Sequence, residues 1–403
     1  MNAVFKRAFW VYSIADIPYH SVWLLGSIFF PVRLFEAGAS PGVIGLLTVL
    51  GPLMIMPQFF WGKLSDYCLH LWGTRTPLVL SGGVITVCFL LGLSVNSTIM
   101  TTLVCMAGTW MGISIYQAGY MPLMRERIPA SHHHRVKSQM TIVQGGVFLL
   151  LPVMALTAKH IDHGTPYILA GILTASVFLL IYFGFIRKTS IIKTGNISWS
   201  QNSRRSFLDK KFLYFYISLF LMISGIQTTS TYFIIFTITE IFRMSPSETS
   251  MGSDAVFKAT MLPGIIAIST IFSVWFIGKA VKKFHRILVL QFSVGILLAS
   301  SILFYFVATY EQAAFISIIS GPGVAAVMII PFTVLARLHP PDQGGSFTGL
   351  FSLVVAVAQI FAIAFAGYMV DLTGTYRIIF VFSGFIFIFS LVFLWKLYLH
   401  TRT

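Results

Sequence analysis

Apolar residues run through this chain in long blocks, separated by short stretches that hold glycine, proline and most of the basic residues. A helix needs about 20 such residues to cross the hydrocarbon core of a bilayer. Twelve blocks meet that need, at 9–31, 43–61, 77–96, 99–122, 138–158, 165–186, 212–236, 255–278, 287–308, 312–335, 346–369 and 376–397. A closed barrel would require shorter, alternating strands, so continuous runs exclude it. The pattern predicts an all-α membrane protein with twelve transmembrane helices, here called spans 1 to 12. Met-Asn-Ala-Val-Phe-Lys-Arg leads straight into span 1 without a cleavage site, so that span is expected to be retained.

The longest polar stretch, Arg187 to Lys211, falls near the middle of the chain and carries seven basic residues among Ser, Asn and Gly. It reads as a linker on the membrane surface, where basic side chains meet anionic headgroups. The expected organisation is a six-helix bundle over 1–187, a cytoplasmic linker over 188–211 and a second bundle over 212–403. The halves echo each other. Trp61-Gly62-Lys63 after span 2 has a counterpart in Ile277-Gly278-Lys279 after span 8, and spans 4 and 10 both end in proline and arginine (Pro122 and Arg125, Pro331 and Arg337). Asn196-Ile-Ser198 matches a glycosylation sequon but falls in this cytoplasmic stretch.

Composition agrees. The 403 residues are 57% hydrophobic and 10% charged, whereas soluble domains carry about a quarter charged residues. The net charge of +15 is spread over short loops and not gathered on a soluble domain, so no nucleic-acid partner is expected. With the N-terminus placed inside, 22 of the 27 Lys and Arg residues face the cytoplasm, all except Arg33, Lys159, Arg243, Lys258 and Arg377. The positive-inside rule then puts both termini in the cytoplasm. Cys68, Cys88 and Cys105 have neither metal-ligand spacing nor the even number of a disulfide framework.

Within the spans ionisable residues are scarce. Asp16 is the one acid placed deep in a span, where a carboxylate costs about 2.5–3.5 kcal/mol on insertion scales. It shares a helix face with Tyr12, Tyr19, His20 and Trp23. Burial disfavours its charged form, which makes Asp16 a candidate proton-binding group with His20 one turn away; packing against His20 is the plainer alternative. Uncharged polar groups recur at mid-span: Tyr116, Gln117 and Tyr120 in span 4, Gln144 in span 5, Gln227 and Thr231 in span 7, Gln291 in span 9 and Gln359 in span 11. Each alone reads as an interhelical hydrogen bond; as a set they suit a hydroxyl-rich or amphipathic ligand. Asp254 with Lys258, Glu240 with Arg243, and Asp371 with Arg377 read as exposed charge pairs. His132-His133-His134 reads as solvated, so no metal and no cofactor are expected.

Gly62 to Pro77 forms a short polar loop between two apolar blocks, with Asp66 and Arg75 between Gly62 and Gly73. Gly62 would let one helix end and pass close to a neighbour, while Asp66 and Arg75 could latch helix ends reversibly. An ordinary turn with solvated charges is the alternative. These four residues resemble the signature loop between spans 2 and 3 of the major facilitator superfamily. The form Gly-x-x-Ser-Asp, then Trp-Gly-x-Arg-x-Pro, is similar to the glycoside and sucrose cation-symporter branch, as is Tyr120-Met-Pro122-Leu followed by Arg135.

The resemblance implies two six-helix halves related by an axis along the membrane normal, with spans 1, 4, 7 and 10 around a cavity. On that basis the cavity is expected to hold Tyr12, Tyr19, Trp23, Tyr116, Gln117, Tyr120, Gln144, Gln227, Thr231 and Gln359, with Asp16 and His20 coupling protons and the 62–77 loop gating. Span 2 lacks the paired carboxylates of the sodium-coupled members, and spans 4 and 5 lack the arginine and the glycine-proline pattern of drug antiporters. The expected function is therefore proton-coupled symport of a small organic solute by a monomer in the plasma (cell inner) membrane. Efflux of an amphipathic compound or lipid is the alternative. A polytopic membrane enzyme is disfavoured, because no acid/base or nucleophile constellation stands near one membrane face. ATP-driven transport lacks a Gly-x-x-x-x-Gly-Lys-Ser/Thr loop.

Overall fold

The computed structural model describes residues 10–95, 98–127, 133–161, 164–183, 210–249, 253–338 and 344–402. The described residues are almost entirely helical and contain no strand. Nine helical stretches among them are long and apolar enough to cross a membrane; span 1, span 4 and the shorter Thr165–Ile181 complete the twelve. Linker residues 188–209, Asn196 among them, lie outside the described residues, while Lys210 and Lys211 already belong to the helix of span 7; His132 and the side chains of His133 and His134 also lie outside.

Spans of the N-terminal half are broken where proline removes a backbone donor. Span 1 is helical from residue 10, turns at Ala15 and Asp16, and continues as Ile17–Leu24, a π-helical turn Leu25–Phe29, and Phe30–Glu36. Span 2 comprises Pro41–Thr48, Leu50–Ile55 and Gln58–Trp72. Span 5 comprises His133–Phe148 and Leu150–His160. The breaks at Ala15, Val49 and Leu149 each precede a proline (Pro18, Pro52, Pro152) by three residues. A proline ring has no N–H and crowds the carbonyl four residues back, so the ladder opens there. Spans 3 and 4, Thr76–Val95 and Ile99–Arg127, run continuously. They pack with almost no side chain between them: a methyl at Gly112 would stand 2.6 Å from the Thr86 amide, and one at Gly82 would strike the Tyr116 amide.

The C-terminal half is straighter. Span 7 is Lys210–Phe236 with a π-helical turn Thr237–Ile241, and spans 8 to 12 are Asp254–Lys283, Arg286–Tyr305, Tyr310–Leu338, Gly344–Thr373 and Ile378–Arg402. Pro263, Pro322 and Pro331 sit inside helices that continue past them.

The halves meet where span 11 lies against span 2 and span 8 against span 5. At one end of the bundle, the far end, hydrogen bonds join them. The Gly42 amide donates to Asp371 at 2.9 Å, the Tyr232 hydroxyl to the Pro41 carbonyl at 3.0 Å, and Lys159 to Asp254 at 2.5 Å. Phe35 packs edge-on against Tyr376 at the same end. The charge pairs therefore differ from the pattern expected from sequence neighbours. Asp254 pairs with Lys159 across the interface and not with Lys258. Glu240 accepts from Thr375, the Tyr376 amide and Arg377, and not from Arg243. Asp371 serves Gly42, not Arg377. Partners distant in sequence but level in the bundle displaced the local ones.

The opposite end, the loop end, holds the 62–77 segment, which is shorter as a loop than expected. The helix continues from Gln58 to Trp72, and Gly73, in the left-handed region at φ 63°, stops it. Gly62 lies inside that helix, with nothing within 4 Å of where a Cβ would stand, so it neither ends a helix nor admits a close neighbour. Arg75 is buried, and its guanidinium donates to Ser65 at 2.7 Å and pairs with the half-exposed Asp66 at 2.7 Å. The bracket ties spans 2 and 3 of one half together.

Candidate functional site

A cavity of about 340 Å³ lies between the halves, within the range of small-molecule sites. Spans 1, 2, 4 and 5 line it from one side and spans 7 to 12 from the other. The proline breaks set its N-terminal wall. Asp16 stands at the turn that opens Ile17–Leu24, so its side chain and that of His20, one turn on, reach the same lining.

Asp16 is not an isolated acid. His20 Nε2 stands 3.0 Å from Asp16 Oδ2, and the Tyr120 hydroxyl donates to Oδ1. Tyr116, its ring tilted against that of Tyr120 with centroids 4.9 Å apart, donates to the Ala15 carbonyl at 2.7 Å. That carbonyl lies in the turn before Pro18. Both phenols thus buttress the broken segment of span 1. Tyr19 sits edge-on to His20 and to Trp110. Trp110 is in turn clasped by two backbones: a methyl at Gly26 would stand 2.6 Å from its Nε1, and one at Gly51 2.7 Å from its Cε2.

Of the residues expected at the cavity, Asp16, Tyr19, His20, Trp23, Gln117, Gln144, Gln227 and Gln359 line it. Tyr12, Tyr116, Tyr120 and Thr231 do not. They are buried behind the wall, where the two tyrosines hold Asp16 and the Ala15 carbonyl, and Thr231 accepts from Gln227 at 3.0 Å. The amides form cross-span pairs: Gln58 with Gln117 at 3.2 Å, and Gln359 with Gln227 at 3.3 Å. Gln58 was not singled out from the sequence, and neither were the phenylalanines of the C-terminal wall, Phe233, Phe304, Phe380 and Phe387.

The larger omission is Lys137. The apolar pattern starts span 5 at 138 and leaves Lys137 among the loop charges. The helix begins at His133, and Lys137 reaches the cavity wall one turn later. Its ammonium lies 5.7 Å from the ring centroid of Phe332 on span 10, across the interface. Asp16, Tyr19, His20 and Lys137 are the ionisable residues of the lining. Among the described residues no cluster of three or more His, Cys, Asp or Glu could hold a metal ion.

A family model described as Major Facilitator Superfamily matches residues 19–321. It matches at the level of the superfamily, without resolving the glycoside and sucrose symporter branch. No curated protein matches the chain.

Proposed function

Because this chain belongs to the Major Facilitator Superfamily and is a multi-pass membrane transporter, we propose that it carries a small organic solute by alternating access, coupled to protons. The observation that carries this reading is the Asp16–His20 pair, buried and on the cavity wall. A carboxylate and an imidazole in contact can hold a proton between them, so the pair and not either residue alone is the coupling unit. Alternating exposure of the pair to the two sides would load a proton on one side and release it on the other. Tyr120 holds the carboxylate in place during the exchange.

On this reading residues 1–187 and 212–403 are the moving halves, 188–211 is the linker, and the loop end faces the cytoplasm of a cell whose plasma membrane holds the protein. The hydrogen-bonded far end is then the closed outer gate of an inward-facing state. The aromatic lining also suits the second reading, efflux of an amphipathic compound, and the direction of net flux under an imposed pH gradient separates the two.

The test uses proteoliposomes and a solute found by uptake screening of sugars, organic acids and cationic dyes. Asp16→Asn should abolish accumulation driven by a pH gradient while solute counterflow survives. Wild-type accumulation in a well-folded Asp16→Asn protein excludes the coupling role, and joint loss of both activities with yield reduces Asp16 to packing. Single cysteines at Asn196 and His400 should be shielded from an impermeant reagent added outside intact cells; labelling of either overturns the orientation.

A further inference from the structure

We propose that the solute is an amphipathic organic anion and that Lys137 holds its charge. This names the substrate class of the cavity and rests on the transport reading above.

The cavity's charges divide unequally. The Asp16 carboxylate is occupied at both oxygens, by His20 and by Tyr120. Lys137 reaches Asp16 only through space, and its ammonium is turned toward Phe332 of the other half. Ammonium over an aromatic face gains about 0.5–1 kcal/mol where water is near, far less than a charge-assisted hydrogen bond to an anion supplies in a dry site. A cationic solute would meet an acid already capped and a lysine that repels it. An anion would meet an ammonium with donors to offer.

The rest of the lining fits the body of such a solute. Trp23 and Phe148 pack together at 5.4 Å on the wall that carries Lys137, and phenylalanines face them from the C-terminal half. On that opposite wall the Ser300 hydroxyl is buried, lines the cavity and has no hydrogen-bond partner among the described residues. A buried polar group without a partner is costly, and a polar substituent on the solute would satisfy it. The occupant is thus an anion with an aromatic or aliphatic body and a hydrogen-bonding group besides its charge.

The charge count also links the anion to the proton. The titratable groups around Asp16 are His20, Tyr19, Tyr116, Tyr120 and Lys137. With His20 and the phenols neutral, Asp16 and Lys137 cancel. A proton on the Asp16–His20 pair leaves one positive charge, which a monovalent anion neutralises. Unpaired charge within a bilayer is expensive, so proton and anion favour each other's entry.

The test compares three radiolabelled probes of one shape, 2-naphthoate, 2-naphthamide and 2-naphthylmethylammonium, by equilibrium dialysis against the full-length protein in nanodiscs at neutral pH. The carboxylate should bind at least about ten-fold tighter than the amide, the equivalent of one charged contact. Lys137→Gln should remove that preference while still binding the amide and melting at the wild-type temperature, and Lys137→Arg should keep it. Equal or tighter binding of the amide or the ammonium, a preference that survives Lys137→Gln, or binding of none of the three overturns the proposal. Uptake into proteoliposomes separates the two readings. Carriage of the ammonium or amide in preference to the carboxylate keeps transport and removes the anion; a carboxylate that binds at Lys137 but is never carried keeps the anion site and removes transport.

Discussion

Span 2 is broken twice, and its partner across the interface, span 11, is 30 residues of unbroken helix; span 5 is broken once, and its partner, span 8, is again 30 unbroken residues. Among the described residues, the charged groups of the cavity all come from the N-terminal half, whereas the C-terminal half contributes amides, hydroxyls and phenylalanine rings. Proline alone does not explain the contrast, since Pro263, Pro322 and Pro331 are accommodated without a break. What differs is the use made of the freed backbone. At Ala15 the carbonyl in the broken turn is taken by Tyr116, and the neighbouring side chain, Asp16, by Tyr120 and His20. One half is shaped to place charge beside the cavity, the other to present an unbroken wall facing it.

The sharpest way to break this comparison is in the packing beneath the charged site. Gly82→Ala drives a methyl into the Tyr116 backbone, so helices and not only side chains must separate. Overpacking of this kind costs about 1–3 kcal/mol or more and should lower the melting temperature in detergent, carrying transport down with it. In the C-terminal half Gly225→Ala meets the ring of Phe387, which can turn aside, so the loss should be partly offset by the roughly 1 kcal/mol helix preference of alanine. Gly62→Ala meets nothing and should be neutral or stabilising. A Gly82→Ala protein that melts no lower than Gly225→Ala would show that the close packing of spans 3 and 4 carries no special weight.

Restoring the missing backbone donors tests the breaks themselves. Pro52→Ala and Pro152→Ala should let spans 2 and 5 straighten, holding or raising thermal stability while transport slows by on the order of ten-fold, as hinge substitutions do. Pro322→Ala, in an unbroken helix and away from the cavity lining, should leave transport nearly unchanged. Equal effects in the two halves would mean that the breaks are incidental.

At the loop end, Asp66→Asn removes the charged partner of the buried Arg75 and leaves its hydrogen bond to Ser65 in place. Because Asp66 is half exposed, solvent screens the loss to about 1–2 kcal/mol, read as a lower melting temperature with transport slowed. Unchanged stability and transport would reduce the segment to an ordinary turn. The smallest effect is expected at the far end. Lys159→Gln removes one exposed cross-half pair and should leave the melting temperature near wild type, yet raise labelling of a cysteine placed at Phe35 on the same seam. No rise in labelling would show that this pair does not hold the far end closed.

Much of the frame was legible from the chain. Block length located the twelve spans, and helical periodicity put Asp16 and His20 on one face. Mid-span polarity found Gln117, Gln144, Gln227 and Gln359. Lys137 escaped because a lysine at the edge of an apolar block looks like any other basic residue at a membrane surface, and only the earlier helix start carries it into the cavity. Tyr116 and Tyr120 were read as lining because phenols at mid-span are amphipathic; their true partners lie about 100 residues away, and no local signal records such a pairing. The charge pairs failed for the same reason. Neighbours in sequence compete with neighbours at the same depth, and depth is set by the whole bundle.

Trp110 gives these halves a mechanical meaning. Its indole fills the space over Gly26 in span 1 and over Gly51 in span 2, so closely that neither backbone can slide without moving the ring. Gly51 lies between the span 2 breaks at Val49 and Pro57, and Gly26 lies in the π-helical turn beyond the span 1 break. The indole is therefore a fulcrum. On the alternating-access reading, segments on either side of it tilt as levers, and a displacement at Asp16 on one arm reaches the far-end contacts of Pro41 and Gly42 on the other.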